Sequence, residues 1–159
     1  MIENIPLEEK IAFHWEGLSF DLNSAEQLRA WIQSTATEET KSLGLLNIVF
    51  CTDQYLHKMN VQYLNHDTLT DVITFSYAED YIEGDIFISV ERSSENAQKF
   101  GCTPEEELYR VIIHGVLHLT GYDDKTPEEK IQMTAKEDYY LAKLGLSSTN
   151  NCISEIQYH

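Results

Sequence analysis

The sequence predicts an α+β fold: one small mixed sheet of about four strands, mostly parallel with one antiparallel strand, and helices packed around a central helix. Three observations carry this. Apolar runs rich in branched and aromatic residues alternate with stretches of helical periodicity, the pattern of helices laid on a largely parallel sheet. Two of those runs, 72–77 and 83–89, are joined by a link too short for a crossover, so one strand lies antiparallel. Residues 104–119 are apolar nearly all round (Leu108, Val111, Ile112, Ile113, Val116, Leu117 and Leu119 among them), which places that helix in the middle of the domain.

In order, Ile11-Ala-Phe-His-Trp15 alternates and reads as a strand, with His14 a surface residue of it. Asn23-Ser24 opens a helix with Ala25, Leu28, Trp31 and Ile32 at helical spacing; it runs to about Lys41, with Gly44 as its stop. Leu45–Cys51 reads as a buried strand. Asp53 is the expected N-cap of a helix from Gln54 to about Tyr63, on which Leu56, Met59 and Asn60 lie and His57 is exposed. A polar loop, Asn65-His66-Asp67, leads to a strand over Thr70–Tyr77, and an acidic link leads to another over Gly84–Val90. Ser89 or Ser93 caps a helix that Gly101 ends. Thr103-Pro-Glu-Glu106 and Thr126-Pro-Glu-Glu129 each state a helix start: threonine N-cap, proline at N1 and glutamate at N3. The second of these helices runs to about Leu144. Residues 1–145 are expected to form a single domain, and 146–159 a mobile C-terminal tail.

Composition bounds the chemistry. A chain of 159 residues with a 42% apolar fraction suits one globular domain. No apolar run approaches the ~20 residues of a membrane span, and the N-terminus lacks the basic start and apolar core of a signal peptide. The three cysteines, Cys51, Cys102 and Cys152, are odd in number and far apart, which fits free thiols in a reducing, cytoplasmic setting and argues against a thiolate metal site. With 27 acids against 11 bases the net charge is −16, which weighs against nucleic-acid binding through a broad basic surface.

The densest chemistry lies at Arg110–Asp124, RVIIHGVLHLTGYDD. His114 and His118 stand at i and i+4, so both imidazoles face one way. Asp124, six positions after His118, would point roughly 240° away on an unbroken helix. Gly121 allows the chain to leave the helix and bring Asp124 back toward the histidines. Two imidazoles and a carboxylate converging in this way suit one catalytic Zn²⁺ with an open position. Arg110, His114 and His118 form one polar stripe on an otherwise apolar helix, and a buried helix does not carry such residues without partners. The spacing resembles the zinc peptidase pattern HExxHxxGxxD, but Gly115 stands where those enzymes have their general-base glutamate, which makes a metallopeptidase the weakest reading.

His114-Gly-Val-Leu-His118-Leu-Thr-Gly-Tyr-Asp-Asp124, together with Thr70-Asp-Val-Ile-Thr-Phe75 and Gly84-Asp-Ile86, resembles the signature blocks of the YbeY-type endoribonuclease family of ribosomal RNA maturation factors. The resemblance spans about residues 45–143. It implies a zinc-dependent, single-strand-specific endoribonuclease acting in small-subunit ribosomal RNA maturation and ribosome quality control, with RNA and the ribosome or its small subunit as partners. It also implies that Asp71 and Asp85 lie near the metal. Two departures stand out. The family's third histidine is Asp124 here, still an acceptable zinc ligand. The arginine expected four residues after Asn60 is Leu64, and Arg110, one turn before His114, is the candidate substitute unless it merely pairs with Glu106 or Glu107. The competing reading is a weakly catalytic or non-catalytic ribosome assembly factor with a structural zinc.

Overall fold

The computed structural model describes residues 4–65, 70–144 and 156–159. Strand β1 (Ile11–Glu16) follows a single helical turn, α1 (Leu7–Lys10), and precedes a short strand β2 (Leu18–Ser19). Then come α2 (Ala25–Glu38), β3 (Leu43–Cys51), α3 (Asp53–Leu64), β4 (Val72–Ser76), β5 (Ile82–Ser89), α4 (Val90–Phe100), α5 (Pro104–Thr120), α6 (Pro127–Lys143) and β6 (Gln157–Tyr158).

The main sheet has the order β1-β3-β5-β4. Strands β1, β3 and β5 are parallel, and β4 runs antiparallel to β5 with Thr74 opposite Ile86. Alternation along each strand sends Ile48, Ile86 and Ile88 into the principal core with α5, α2 and the inner face of α6. The opposite face of β5 and β4 meets α3 through a smaller cluster of Cys51, Leu56 and Ile73, flanked by Phe75 and Phe87. Among the described residues α5 is the helix with most buried positions, and both of its histidines sit on its less buried side.

Glycine sets how closely these layers approach. A Cβ on Gly115 of α5 would stand 2.7 Å from Cγ2 of Ile86. A Cβ on Gly84 of β5 would stand 2.0 Å from the carbonyl oxygen of Phe75 on β4. Two of the glycines inside the motif blocks are therefore packing requirements.

Some of the expected element boundaries shift and others hold. Helix α2 ends at Glu38, and Thr40, in the left-handed region at φ 59°, turns the chain toward the sheet. Gly44 lies inside β3 and is not the helix stop. The N-cap of α3 is Thr52, whose Oγ1 accepts the Tyr55 N–H at 3.2 Å; Asp53 is the first helical residue, and its carboxylate receives Arg92. Ser89 caps α4, and Gly101 ends it in the left-handed region. Thr126 and Glu129 form the reciprocal capping box expected of α6. At α5 the box is half made: Thr103 Oγ1 accepts the Glu106 N–H, while the Glu106 carboxylate takes the Thr103 hydroxyl. Residues 66 and 67 of the expected loop, and 146–155 of the expected tail, lie outside the described residues. The last residues of the chain do not trail free: β6 pairs antiparallel with β2, and the His159 N–H donates to the Gly17 carbonyl at 2.9 Å.

Candidate metal centre

Helix α5 closes where the sequence predicts. Gly121 takes φ 115°, its N–H reaches the His118 carbonyl at 3.0 Å, and the Tyr122 N–H reaches that of Leu117 at 3.1 Å. These bonds satisfy the final carbonyls of the helix and reverse the chain. Asp124 then returns over the last turn, its Oδ2 3.3 Å from Nε2 of His114 and 3.5 Å from Nε2 of His118. The two rings stand edge to face with centroids 4.6 Å apart.

The donor set fits a metal. Zinc bonds of 2.0–2.2 Å in a tetrahedron separate neighbouring ligand atoms by roughly 3.3–3.5 Å, the spacing of these Nε2 and Oδ2 atoms. Among the described residues His114, His118 and Asp124 are the one group of histidine, cysteine or acidic side chains whose ligand atoms converge this way. All three are partly exposed, as an open site requires.

Helix α6 supplies what the sequence reading missed. Glu137, buried at 6% relative exposure, places Oε2 2.6 Å from Nδ1 of His114 and accepts Arg110 on its other oxygen at 2.8 Å. Arg110 also donates to Asp138 at 2.6 Å. Arg110 is therefore tied to α6, not to Glu106 or Glu107 on its own helix. Burial works against a charged His114, but the Glu137 bond and the nearby carboxylates raise its proton affinity above the ordinary histidine value. The one signal for Glu137 in the sequence is its place on the i, i+4, i+7 stripe Met133, Glu137, Tyr140 that α6 buries.

Glu107, one turn before Arg110 and also buried, was missed as well. Burial, reinforced by Asp71, pushes its carboxyl up to about 7 against the pull of Arg110. Asp71, just ahead of β4, lies close enough to His114 for their charges to interact, and it accepts Asn96 Nδ2 at 3.3 Å; burial raises its carboxyl too. Asp85 is elsewhere. Its neighbours Gly84 and Ile86 face α5, so alternation turns Asp85 to the opposite side of the sheet. There it accepts Asn47 Nδ2 at 3.0 Å and the Tyr77 hydroxyl at 2.7 Å. In place of the expected position near the metal, Asp85 ties β5 to β3 and to the β4–β5 link on the far side of the sheet from α5. Leu64, at the end of α3, is partly solvent-exposed.

A family model described as Endoribonuclease YbeY matches residues 11–145. Among curated relatives, an endoribonuclease YbeY of Amoebophilus asiaticus is 49% identical over 133 residues, 82% of this chain and 90% of that protein. One of Flavobacterium psychrophilum is 50% identical over 132 residues, 82% of this chain and 94% of that protein. A solution structure of a Thermotoga maritima protein superposes with a TM-score of 0.62 at 28% identity, covering 84% of this chain and 88% of the other.

Proposed function

The chain belongs to the endoribonuclease YbeY family, and from that premise we propose that it is a zinc-dependent, single-strand-specific endoribonuclease. Its field of action, in this reading, is small-subunit ribosomal RNA maturation and ribosome quality control in the cytoplasm. The observation that supports it most is the convergence of His114 Nε2, His118 Nε2 and Asp124 Oδ2 at ligand spacing on a partly exposed surface. Two imidazoles and one carboxylate suit zinc among the common divalent metals. The bound metal supplies Lewis acidity toward a phosphoryl oxygen and the attacking water. The chain's own part is to hold the three donors, to keep Nδ1 of His114 engaged by Glu137 so that Nε2 faces the site, and to leave one side open to substrate.

Asp71, raised by burial and within reach of His114's charge, is the candidate for handling a proton there, and Arg110, already bound by two carboxylates, is poorly placed to hold a phosphate. Among the described residues no helix is long and apolar enough to cross a membrane. A second reading, an assembly factor with a structural metal, draws on the −16 charge and on Leu64.

The deciding experiment compares cleavage of single-stranded RNA by the wild type and His114→Ala, with zinc content measured on both. Cleavage by the wild type alone, at about one zinc per chain, is the expected result. Equal cleavage by both proteins would show a contaminant and remove the nuclease reading. A zinc-loaded wild type that cleaves nothing would favour the assembly factor.

A further inference from the structure

The structure assigns Glu137 as a positioning residue of the metal centre, held in register by Arg110, so that α6 sets the tautomer and direction of His114. This rests on the reading of His114, His118 and Asp124 as metal ligands.

A ligating imidazole must offer a bare ring nitrogen to the metal, and the other nitrogen decides which one is bare. Nδ1 of His114 stands 2.6 Å from Glu137 Oε2, a carboxylate that is 8% exposed at its side chain. A carboxylate only accepts, so a hydrogen lies on Nδ1, and Nε2, turned toward Asp124 and His118, is the nitrogen left to give its lone pair to a metal. Glu137 cannot swing aside, because its second oxygen receives Arg110 at 2.8 Å and Arg110 is braced by Asp138 at 2.6 Å. Helix α6 is itself fixed. Its Tyr140 is 1% exposed and its carbonyl accepts Trp31 Nε1 at 2.8 Å, while Met133 is equally buried. The capping box at Thr126 starts α6 two residues after Asp124, so one short connection joins the third ligand to the helix that carries the brace.

Among the described residues, the carboxylate that meets His118 is that of Asp124, 3.5 Å from Nε2. Among the described residues the two histidines thus differ: His114 carries a carboxylate brace on its second ring nitrogen in addition to its contact with Asp124.

The test is zinc affinity, measured by competition against a chromophoric chelator for the wild type, Glu137→Gln and Glu137→Ala. Proton–nitrogen correlation spectra of the His114 ring are recorded on each zinc-loaded protein, and circular dichroism checks folding. Losing an outer carboxylate of this kind typically weakens metal binding by about 10–100-fold. Glu137→Ala should reach that range with its helical spectrum intact and lose the hydrogen-bonded Nδ1–H signal of His114. Glu137→Gln keeps an acceptor of the same shape and should retain the signal with a smaller loss of affinity. Unchanged affinity in a folded Glu137→Ala, or a His114 signal insensitive to residue 137, would overturn the assignment while leaving the ligand set standing. A wild type that takes up no zinc would overturn both, and that outcome is visible before any variant is made.

Discussion

Single side chains at this centre separate into the three whose ligand atoms converge and those that hold them in place, and the two groups should respond differently to substitution. Arg110 belongs to the second. Removing it strips Glu137 of one partner of a buried carboxylate, which costs about 1–3 kcal/mol. Arg110→Ala should therefore lower the urea midpoint and weaken zinc binding, and excess zinc should restore much of its RNA cleavage. A folded variant of unchanged stability that stays inactive in excess zinc would instead make Arg110 a substrate contact. Glu107 gives a pH signature. Its carboxyl stands at about 7 in the fold, above the ordinary 4.5, with Asp71, Arg110, Glu137 and His114 around it. The folded state thus binds the extra proton between these values, so the stability this group lends at low pH is lost as pH rises through that window. Glu107→Gln should stabilise the protein above pH ~7 by up to about 3 kcal/mol and by little near pH ~5, read from urea unfolding at the two values. His114, His118 and Asp124 were legible because a helix period and one glycine bring them together locally. Glu137 and Glu107 were not, because a carboxylate becomes informative only when a neighbouring helix or strand buries it.

Elements, in turn, owe their placement to small residues and caps. In the sequence, Gly115 reads as the absence of a general-base glutamate; in the fold it is the place where α5 lies against β5, with no room for any side chain beside Ile86. Gly115→Ala should destabilise by about 1–3 kcal/mol through overpacking. The double variant with Ile86→Ala should lose less than the sum of the single losses, because the atoms a Cβ would strike all belong to that isoleucine. Strict additivity in such a cycle would show that the glycine matters for helix backbone alone. The capping signals at Thr103 and Thr126 located α5 and α6 to the residue, since proline at N1 leaves little freedom in where a helix starts. Gly44 misled because glycine also serves in strands where another backbone passes closely: a Cβ there would stand 3.1 Å from the Ile82 carbonyl oxygen. The β2–β6 pair was illegible for another reason. Two-residue strands carry no periodicity, and their partners are separated by nearly the whole chain.

Across the whole molecule, charge decides how RNA could be held. The 11 basic residues face 27 acidic ones, and several bases are already engaged: Arg92 with Asp53, Arg110 with Glu137 and Asp138, Lys136 with Glu39, Lys143 with Glu38. Arg29 gives its Nε–H to the Ile11 carbonyl and lies over the Phe13 ring. Such a balance leaves few cations to track a phosphate backbone, and a metal held by His114, His118 and Asp124 would then supply most of the positive charge a substrate meets. Counterion release then becomes the diagnostic. Single-stranded binding loses affinity with salt at a log–log slope of about −0.7 per phosphate neutralised. Binding of a labelled single-stranded oligoribonucleotide to the zinc-loaded protein should show a slope of only about −1 to −1.5 between about 50 and 200 mM salt. Stripping the zinc should abolish binding instead of merely weakening it. A slope steeper than about −3, or tight binding without metal, would mean that lysines outside the ion pairs form a phosphate track, and the metal would then be needed for cleavage but not for capture.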